Sequence, residues 1–253
     1  MSKTILLTGA SRGIGLSIAH YILSQPAKHN LIAVSRTEEP LRALQSQYSP
    51  DRVGYLAVDL SDLSSGAKLV ELALEKFGKL DGVIVNHGVL DPVKRVEDST
   101  AEEWRDAYTI NFFSAVAIVK AAIPALRERK GTILFTSSGA ASNSYATWGA
   151  YGSAKAAMNH FVATLGNEEK SITSIAIRPG VVDTEMQRDI REKHRGSMDA
   201  KDAAKFAELK ETGGLLRPEQ PGHVMAKLVL DAPTELSGKF LTWNAEELKK
   251  FQE

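Results

Sequence analysis

The sequence predicts one α/β domain over residues 1–253, built on a doubly wound, parallel sheet of about seven strands with helices on both faces. Short apolar runs alternate with longer helical patterns along the chain. Most of these runs are continuously apolar, as strands covered on both faces are, so the sheet is expected to be mostly parallel. An apolar fraction of 43% is sufficient to fill the core of such a domain.

Each predicted strand is a short run rich in β-branched residues or leucine. In chain order the predicted strands are Ile5–Thr8, Leu31–Ser35, Val53–Val58, Gly82–Asn86, Gly131–Ser137, Ile172–Arg178 and Lys239–Trp243. The helices predicted between them are Gly13–Ser24, Glu38–Tyr48, Ser64–Phe77, Thr100–Arg129, Tyr151–Glu168 and Pro221–Leu230. Ser99 or Thr100 can cap the longest helix, and Glu103 is placed to complete a capping box.

The charge balance and the composition exclude several classes of site. Lys and Arg together number 31, as do Asp and Glu, so bulk charge gives no attraction to nucleic acid or to an anionic membrane. The chain has no cysteine, which excludes disulfides, thiolate metal sites and cysteine nucleophiles, and no metal site is predicted. We find no secretory signal before the first apolar segment and no apolar stretch long enough to span a bilayer. We therefore expect a cytoplasmic protein with no nucleic-acid or membrane partner.

The segment Thr8–Gly15, with the sequence TGASRGIG, joins the first predicted strand to the first predicted helix. Its glycines allow a tight turn and a close approach of the backbone to a pyrophosphate, and the helix N-terminus supplies oriented N–H groups. The Gly-x-x-x-Gly-x-Gly spacing differs from the commoner Gly-x-Gly-x-x-Gly fingerprint, and a simple tight turn is the alternative interpretation. The residues predicted to bind a dinucleotide here are Gly9, Ser11, Arg12, Gly13, Ile14 and Gly15.

Two arginines favour a phosphorylated dinucleotide. In a NAD enzyme, an acid near the end of the second strand would hold the ribose hydroxyls, but Val34–Thr37 contains no acid. Arg12 lies inside the glycine turn and Arg36 follows the second strand, and guanidinium groups bind phosphate through charge-assisted bonds. We therefore predict NADP (as NADPH) over NAD. The alternative is that both arginines are solvated surface residues.

Tyr151 and Lys155 are four residues apart at the start of a predicted helix, so both side chains lie on one face. A Tyr hydroxyl ordinarily has a pKa near 10, and a neighbouring ammonium would lower that pKa. Such a pair can donate a proton to a carbonyl oxygen or take one from an alcohol. Taken alone, the spacing is weak evidence because it is common by chance.

Ser138 follows the fifth predicted strand, and ligands bind just past the carboxyl ends of strands in open α/β sheets. A hydroxyl there could donate to a substrate oxygen and stabilise developing charge. Ser137 is the competing candidate, and the spacing to Tyr151 favours Ser138. Taken alone, a serine at this place is usually a helix or turn cap.

Together these motifs resemble the short-chain dehydrogenase/reductase family, over nearly the whole chain. The family has a single NAD(P)-binding domain of the Rossmann type. The resemblance is carried by Thr8–Gly15, Asp59-Leu60, Asn86-His87-Gly88, Asn111, Ser138, Tyr151-Gly152-Ser153-Ala154-Lys155 and Pro179-Gly180, in this order and at these spacings. Without the family pattern, Asp59 and Asn111 would be interpreted as a turn cap and a core amide.

The resemblance implies a role for each residue of the reacting centre. Tyr151 would be the general acid in reduction. Lys155 would lower the pKa of Tyr151 and bond the nicotinamide ribose. Ser138 would orient the carbonyl, and Asn111 would hold a water in a proton relay toward Lys155.

The resemblance also implies further contacts with the cofactor. Asp59 would bond the adenine, Asn86 would steady the central sheet and the cofactor, and Thr184 would bond the nicotinamide amide. The other residues predicted to contact the cofactor are Leu60, Gly88, Pro179, Gly180 and Val182. The family usually has Ala where this chain has His87, which could reach the cofactor or solvent; the alternative is that it is only a tolerated neighbour.

Within the family, the sequence is similar to the sepiapterin reductase-like branch, which includes fungal and bacterial benzil reductases. The similarity rests on Asn86–Leu90, Glu102-Glu103-Trp104 and Pro179–Met186. It implies that the protein uses NADPH to reduce a small-molecule carbonyl substrate. The reaction would reduce one carbonyl of a diketone, as in the reduction of benzil to benzoin. The alternatives are an NADP(H)-binding sensor without turnover and an NAD-dependent alcohol dehydrogenase. The family also implies a homodimer or tetramer, through the two longest helices.

The segment Asp183–Arg217 is charged and helical in tendency, and it is interrupted by Gly196 and Gly213-Gly214. It is either a substrate-covering segment or a solvated pair of surface helices. Tyr145 and Trp148 could form an aromatic wall suited to flat or aryl ketones; the alternative is simple packing.

Overall fold

The structure, a computed structural model, describes residues 1–252 and contains a seven-stranded sheet. The strands are β1 (Thr4–Thr8), β2 (Asn30–Ser35), β3 (Val53–Ala57), β4 (Gly82–Val85), β5 (Thr132–Thr136), β6 (Thr173–Arg178) and β7 (Phe240–Thr242). Their order is β3-β2-β1-β4-β5-β6-β7, and every neighbouring pair is parallel. The direction of winding reverses between β1 and β4, the kind of switch point at which α/β proteins bind ligands. The predicted fold class is confirmed.

Helices cover both faces of this sheet. They are α1 (Gly13–Ser24), α2 (Glu38–Tyr48), α3 (Ser65–Phe77), α4 (Ala101–Tyr108), α5 (Ser114–Arg129), α6 (Gly149–Glu168), α7 (Glu185–Glu192), α8 (Ala200–Glu211), α9 (Glu219–Asp231) and α10 (Lys249–Gln252). Every predicted strand and helix is present, and the outer ends differ from the predicted ones by at most two residues.

The predicted long helix is interrupted by a π-helical turn at Thr109–Phe113, between α4 and α5. Its N-terminus has the predicted capping box: the Thr100 side chain accepts from the Glu103 N–H, and the Glu103 carboxylate accepts from the Thr100 N–H. The π-helical turn carries Asn111, one of the predicted site residues. Such turns are rare and frequently lie at functional sites.

Alternate residues of the central strands pack into two hydrophobic layers. In β1, Ile5 and Leu7 belong to the layer formed with α1, α2 and α9, whereas Leu6 belongs to the layer formed with α3, α5 and α6. All three side chains are fully buried. Burial on both faces explains why the strand sequences are continuously apolar rather than alternating.

One helical stretch, Ala101–Arg129, is long and apolar enough to cross a membrane by length and composition, with a mean hydropathy of 1.7 over 18 residues. On these two criteria, the sequence prediction that no apolar stretch is long enough is wrong. One side of the stretch is nevertheless buried, because Ile118, Val119 and Ala122 pack in the layer between the sheet and α3. A core helix outside a membrane passes the same test, so the stretch is weak evidence for a span.

Candidate active site

The glycine turn after β1 has a backbone that only glycine accommodates well. Gly9 and Gly13 have φ values of 66° and 54°, in the left-handed region. A Cβ on Gly15 would collide with the carbonyl oxygen of Gly9. The turn leads directly into the N-terminus of α1, whose N–H groups and partial positive charge suit a phosphate. The cradle therefore fits the pyrophosphate of a dinucleotide.

Asn86 joins this turn to the neighbouring strands. Its N–H donates to Thr8 Oγ1 at 3.0 Å, and its Nδ2 donates to the Gly9 carbonyl at 3.2 Å. Its Oδ1 accepts from Thr136 Oγ1 at 2.9 Å. The carboxyl ends of β1, β4 and β5 are thus held together by one amide side chain.

A cavity of about 350 Å³ opens at the carboxyl ends of the strands, on both sides of the switch point. Of the predicted site residues, all line this cavity except Gly15 and Asn111. Gly15 packs behind the turn against Gly9, and Asn111 bonds to Val89, which itself lines the cavity. The structure therefore brings the predicted site together around one cleft.

Tyr151 lies in the first turn of α6 and is 7% exposed. Its hydroxyl is hydrogen bonded to the Ser138 side chain. Burial raises the pKa of Tyr151 above its ordinary value of 10, and the bond to Ser138 opposes this shift. The sequence predicted the opposite direction, with the ammonium of Lys155 lowering the pKa. That prediction is wrong for this structure because the cost of burying a phenolate dominates.

Lys155 is 3% exposed, and its Nζ lies 5.8 Å from the centre of the Tyr151 ring. Its Nζ donates to the Thr136 carbonyl at 2.8 Å, a partner that the sequence did not indicate. Burial lowers the pKa of Lys155 to about 8. An ammonium has three donors, and the residue lines the cavity, so it fits the hydroxyls of a nicotinamide ribose.

The two candidate serines after β5 have different surroundings. Ser137 is 2% exposed, and its hydroxyl donates to Asn159 Oδ1 on α6 at 2.7 Å. Ser138 Oγ accepts from the Ala140 N–H at 3.1 Å, and Ser138 bonds to Tyr151. Of the two hydroxyls, that of Ser138 is therefore the one next to the phenol.

Arg12 and Arg36, which the sequence predicts to bind one phosphate, have different neighbours in the structure. Arg12 forms an ion pair with Glu185, the first residue of α7. Arg36 lies near Asp59, whose pKa is lowered mainly by hydrogen bonds from Ser61 and slightly by the Arg36 charge. Both arginines line the cavity, but their guanidinium groups do not share a partner here.

Thr184 combines a local and a site position. Its side chain accepts from the Gln187 N–H at 3.4 Å and so caps α7. Its methyl group faces the glycine turn, where a Cβ on Gly13 would lie 3.1 Å from it. The start of α7 is therefore close to the predicted pyrophosphate cradle.

The segment Asp183–Arg217 leaves the sheet and returns to the same place. Asp183 N–H donates to the Leu216 carbonyl at 2.8 Å, which holds the two ends together. Ile190, Met198 and Phe206 of the segment pack with Leu90 and Trp148 in a third hydrophobic cluster. One side of the segment is therefore buried over the cavity wall.

Aromatic rings form much of this cluster. Tyr145 and Trp148 were predicted as an aromatic wall, and their ring centroids are 4.7 Å apart. Phe206, which the sequence did not indicate, joins them from α8, and its ring centroid is 5.9 Å from Tyr145. Nothing local to Phe206 distinguishes it from other apolar residues of an amphipathic helix.

Comparison with known proteins identifies the family. The model of the family described as short chain dehydrogenase matches residues 3–195. The chain is 41% identical to benzil reductase ((S)-benzoin forming) IRC24 of Saccharomyces cerevisiae over 100% of both proteins. It is 31% identical to the benzil reductase ((S)-benzoin forming) of Bacillus subtilis, over 85% of this chain and 88% of that one.

A solved structure is similar over the whole chain. The crystal structure of the YIR035C short chain dehydrogenase/reductase from Saccharomyces cerevisiae has a TM-score of 0.97 at 41% identity, over 100% of both chains. The predicted family and its benzil reductase-like branch are confirmed. The chain belongs to the short-chain dehydrogenase/reductase family.

Proposed function

We propose that this oxidoreductase uses NADPH to reduce one carbonyl of a small diketone, with an aryl diketone such as benzil as the substrate class. The observation that carries the proposal is the phenol of Tyr151, buried beside Lys155 and bonded to Ser138 in the cavity headed by the glycine turn. The names of two relatives, both benzil reductases, support the substrate class.

The state of Tyr151 suits reduction. Its raised pKa keeps the phenol protonated at neutral pH, as a general acid must be. Bound NADPH would supply the hydride that adds to the carbonyl carbon. The Tyr151 hydroxyl would donate its proton to the carbonyl oxygen, and the Lys155 ammonium would stabilise the phenolate that remains. Ser138 accepts from the Ala140 N–H, and its own proton, which is directed to Tyr151 in this structure, would be donated to the substrate oxygen when a carbonyl is bound.

The choice of NADPH rests on the adenosine end of the cavity. The turn after β2 has Arg36 and no acid, so a phosphate on the ribose would meet a guanidinium rather than a carboxylate. Arg12 would provide a second guanidinium after releasing Glu185. Asp59, Leu60, Gly88, Pro179, Gly180, Val182 and Thr184 keep their proposed contacts with the cofactor.

The aryl specificity rests on the aromatic cluster. Tyr145 and Trp148 come from the loop before α6, and Phe206 comes from the segment Asp183–Arg217, which we propose covers the substrate. Flat rings of a diaryl diketone would pack on such a wall.

Asn111 stays a proposed catalytic residue. Its side chain is bonded to Val89, and its proposed role in a water relay rests on the family.

Two other predictions stay proposals. We propose a homodimer or tetramer in which α4, α5 and α6 pair with a second copy, supported by Phe113, an apolar residue that is 42% exposed on this face. We also propose a cytoplasmic location and no nucleic-acid or membrane partner.

The test follows NADPH consumption at 340 nm with benzil, and the chirality of the benzoin formed. We expect turnover by the wild-type protein, with NADPH preferred to NADH. Tyr151→Phe should lower kcat by about a hundredfold or more and leave NADPH affinity nearly unchanged. Tight NADPH binding without turnover on any diketone would favour the sensor, and alcohol oxidation that prefers NAD would favour the dehydrogenase.

A further inference from the structure

His87 follows β4, and its imidazole lies between the end of β1 and the π-helical turn. Its Nδ1 is 2.7 Å from Thr8 Oγ1. Its Nε2 is 2.7 Å from Ser114 Oγ and 3.1 Å from the Ile110 carbonyl oxygen. Both ring nitrogens therefore have partners, and these partners lie on β1, the π-helical turn and α5.

The chemistry of these partners fixes the tautomer of the ring. The Ile110 carbonyl can only accept, and the Ser114 hydroxyl already donates to it at 2.7 Å. Nε2 must therefore carry the proton and donate to Ser114 Oγ. Nδ1, at 2.7 Å, is then the acceptor for the hydroxyl of Thr8, in preference to the Ile84 carbonyl at 3.3 Å. Loss of water around the ring, with a smaller effect of the Lys155 charge, lowers the pKa of His87 to about 3, so the ring is neutral.

A second side chain links the same two parts of the fold, from the π-helical turn to the segment that follows β4. Asn111, from the π-helical turn, accepts from the Val89 N–H at 3.0 Å and donates to the Val89 carbonyl at 2.9 Å. His87 reaches from the segment Asn86–Val89 to the π-helical turn and α5, and Asn111 reaches back. The two side chains form a reciprocal pair of links between this segment and the helix.

The linked segment lines the cavity next to the reacting groups. Gly88 lies so close to its neighbours that a Cβ there would be 2.9 Å from Asn111 Oδ1 and 3.5 Å from Lys155 Nζ. A shift of the segment would therefore change the space around the Lys155 ammonium. Misplacement of reacting groups by about 1 Å can lower a rate by about a hundredfold.

We propose that His87 is a positioning residue, which holds the segment Asn86–Val89 against the π-helical turn and so fixes the cavity wall beside Lys155. The proposal rests on the reductase function proposed above. It goes beyond a packing role, which would affect stability alone. A positioning role affects turnover, and the effect depends on which of the two ring bonds is lost.

Two substitutions at this position separate the bonds. The side chain of His87→Gln is long enough to place an amide N–H near the position of Nε2, and so to keep the bond to Ser114. The side chain of His87→Asn keeps an acceptor near Nδ1, for Thr8, but is too short to reach Ser114. We expect His87→Asn to lower kcat with benzil about tenfold or more, with KM changed less than about threefold. His87→Gln should retain kcat within about threefold.

The matched control is His29→Gln. His29 is 6% exposed and accepts from the Lys3 N–H at 3.0 Å; it directly precedes β2 and so lies at the amino ends of the strands, away from the cavity. Its loss should lower the melting temperature without changing kcat. A kcat of His87→Asn equal to that of His29→Gln, at equal melting temperature, would overturn the proposal.

A second readout does not depend on activity. In protein labelled with ¹⁵N-histidine, six imidazoles are present, and the signal lost in His87→Gln belongs to His87. We expect a neutral ring with a protonated Nε2 and an unprotonated Nδ1 at pH 7. A ring protonated on Nδ1 would overturn the proposal.

Failure of the proposed function would look different. If the wild-type protein reduces no diketone, that function fails, and NADPH affinity replaces kcat as the measure of positioning. Weaker NADPH binding by His87→Asn than by His87→Gln would then support the role of His87, and equal binding would overturn it.

Discussion

Trp148 and Phe206 stack face to face, with ring centroids 5.7 Å apart and planes inclined by 14°. Trp148 precedes α6 and also makes an edge contact with Tyr151, at 6.1 Å between centroids. Phe206 belongs to α8 of the segment Asp183–Arg217. The stack therefore links the proposed general acid to the proposed substrate-covering segment through aromatic contacts.

This stack predicts a selective effect of Phe206→Leu. An aromatic pair contributes about 1 kcal/mol beyond its buried area, which corresponds to about a fivefold change in affinity. We expect KM for benzil to rise about fivefold, and KM for the small aliphatic diketone 2,3-butanedione to change little. Phe251→Leu, in a different hydrophobic cluster, is the control and should leave both KM values unchanged. Equal rises for the two diketones in Phe206→Leu would contradict the aryl wall.

The ion pair between Arg12 and Glu185 predicts that Glu185 competes with the phosphate of the cofactor for the Arg12 guanidinium. The pair is partly exposed, with side chains 64% and 34% accessible, so its contribution is small. Glu185→Gln should free Arg12 and strengthen NADPH binding about two- to fivefold at low salt, an effect that added salt should weaken. Glu192→Gln, at the other end of α7, should change nothing. Fluorescence titration with NADPH measures both, and weaker binding by Glu185→Gln would count against the assignment of Arg12 to the phosphate.

Arg36 predicts the selectivity between the two dinucleotides. Arg36→Asp would place a carboxylate where the extra phosphate of NADPH is expected, and like charges repel. NADPH affinity should fall by about a hundredfold, while NADH affinity should stay level or improve. Arg42→Asp, on the exposed side of α2, is the control. Equal losses of affinity for both dinucleotides would mean that Arg36 does not bind the extra phosphate of NADPH.

Burial of the Lys155 ammonium is predicted to lower the free energy of unfolding of the protein. Its pKa falls from 10.5 to about 8 on folding, so between pH 8 and 10.5 the unfolded chain holds a proton that the folded chain has lost. Stability from this group therefore rises with pH in that window and is lowest below pH 8. We expect Lys155→Met without NADPH to be more stable than wild type at pH 7.5, by up to about 3 kcal/mol, and inactive.

Urea unfolding at pH 7.5 and pH 9.5 checks this prediction. The difference between Lys155→Met and wild type should shrink at the higher pH, because the lysine of the folded wild type is then largely neutral and no buried ammonium remains. Lys170→Met, at an exposed lysine, should show no such pH dependence. A constant difference at the two pH values would show that burial of the ammonium is not its cause.

The sequence alone predicted those features that depend on residues close together in the chain. Tyr151 and Lys155 share a helix face because they are four residues apart, and the strands were visible as continuous apolar runs. Ser138 could be preferred to Ser137 only through its distance to Tyr151 in the sequence. The fold class and the reacting centre follow from such short-range patterns.

Contacts between distant segments could not be predicted in the same way. Arg12 meets Glu185, and Trp148 meets Phe206, only after the chain has folded. The direction of the Tyr151 pKa depends on how completely the phenol is buried, which no spacing reveals. His87 departs from the family pattern, and its partners on β1 and α5 became visible only in the folded chain.

His87 also predicts how the protein responds to acid. The ring protonates near pH 6.5 in an unfolded chain but has a pKa of about 3 in the folded one. Above pH 6.5 both states are neutral and stability is complete; below it only the unfolded chain takes up the proton, so stability is lost as pH falls toward 3. From pH 6.5 to pH 5 this loss is at most about 2 kcal/mol. His87→Gln cannot titrate, so its unfolding free energy should fall less over this range than that of wild type, and parallel curves would assign the acid sensitivity to other groups.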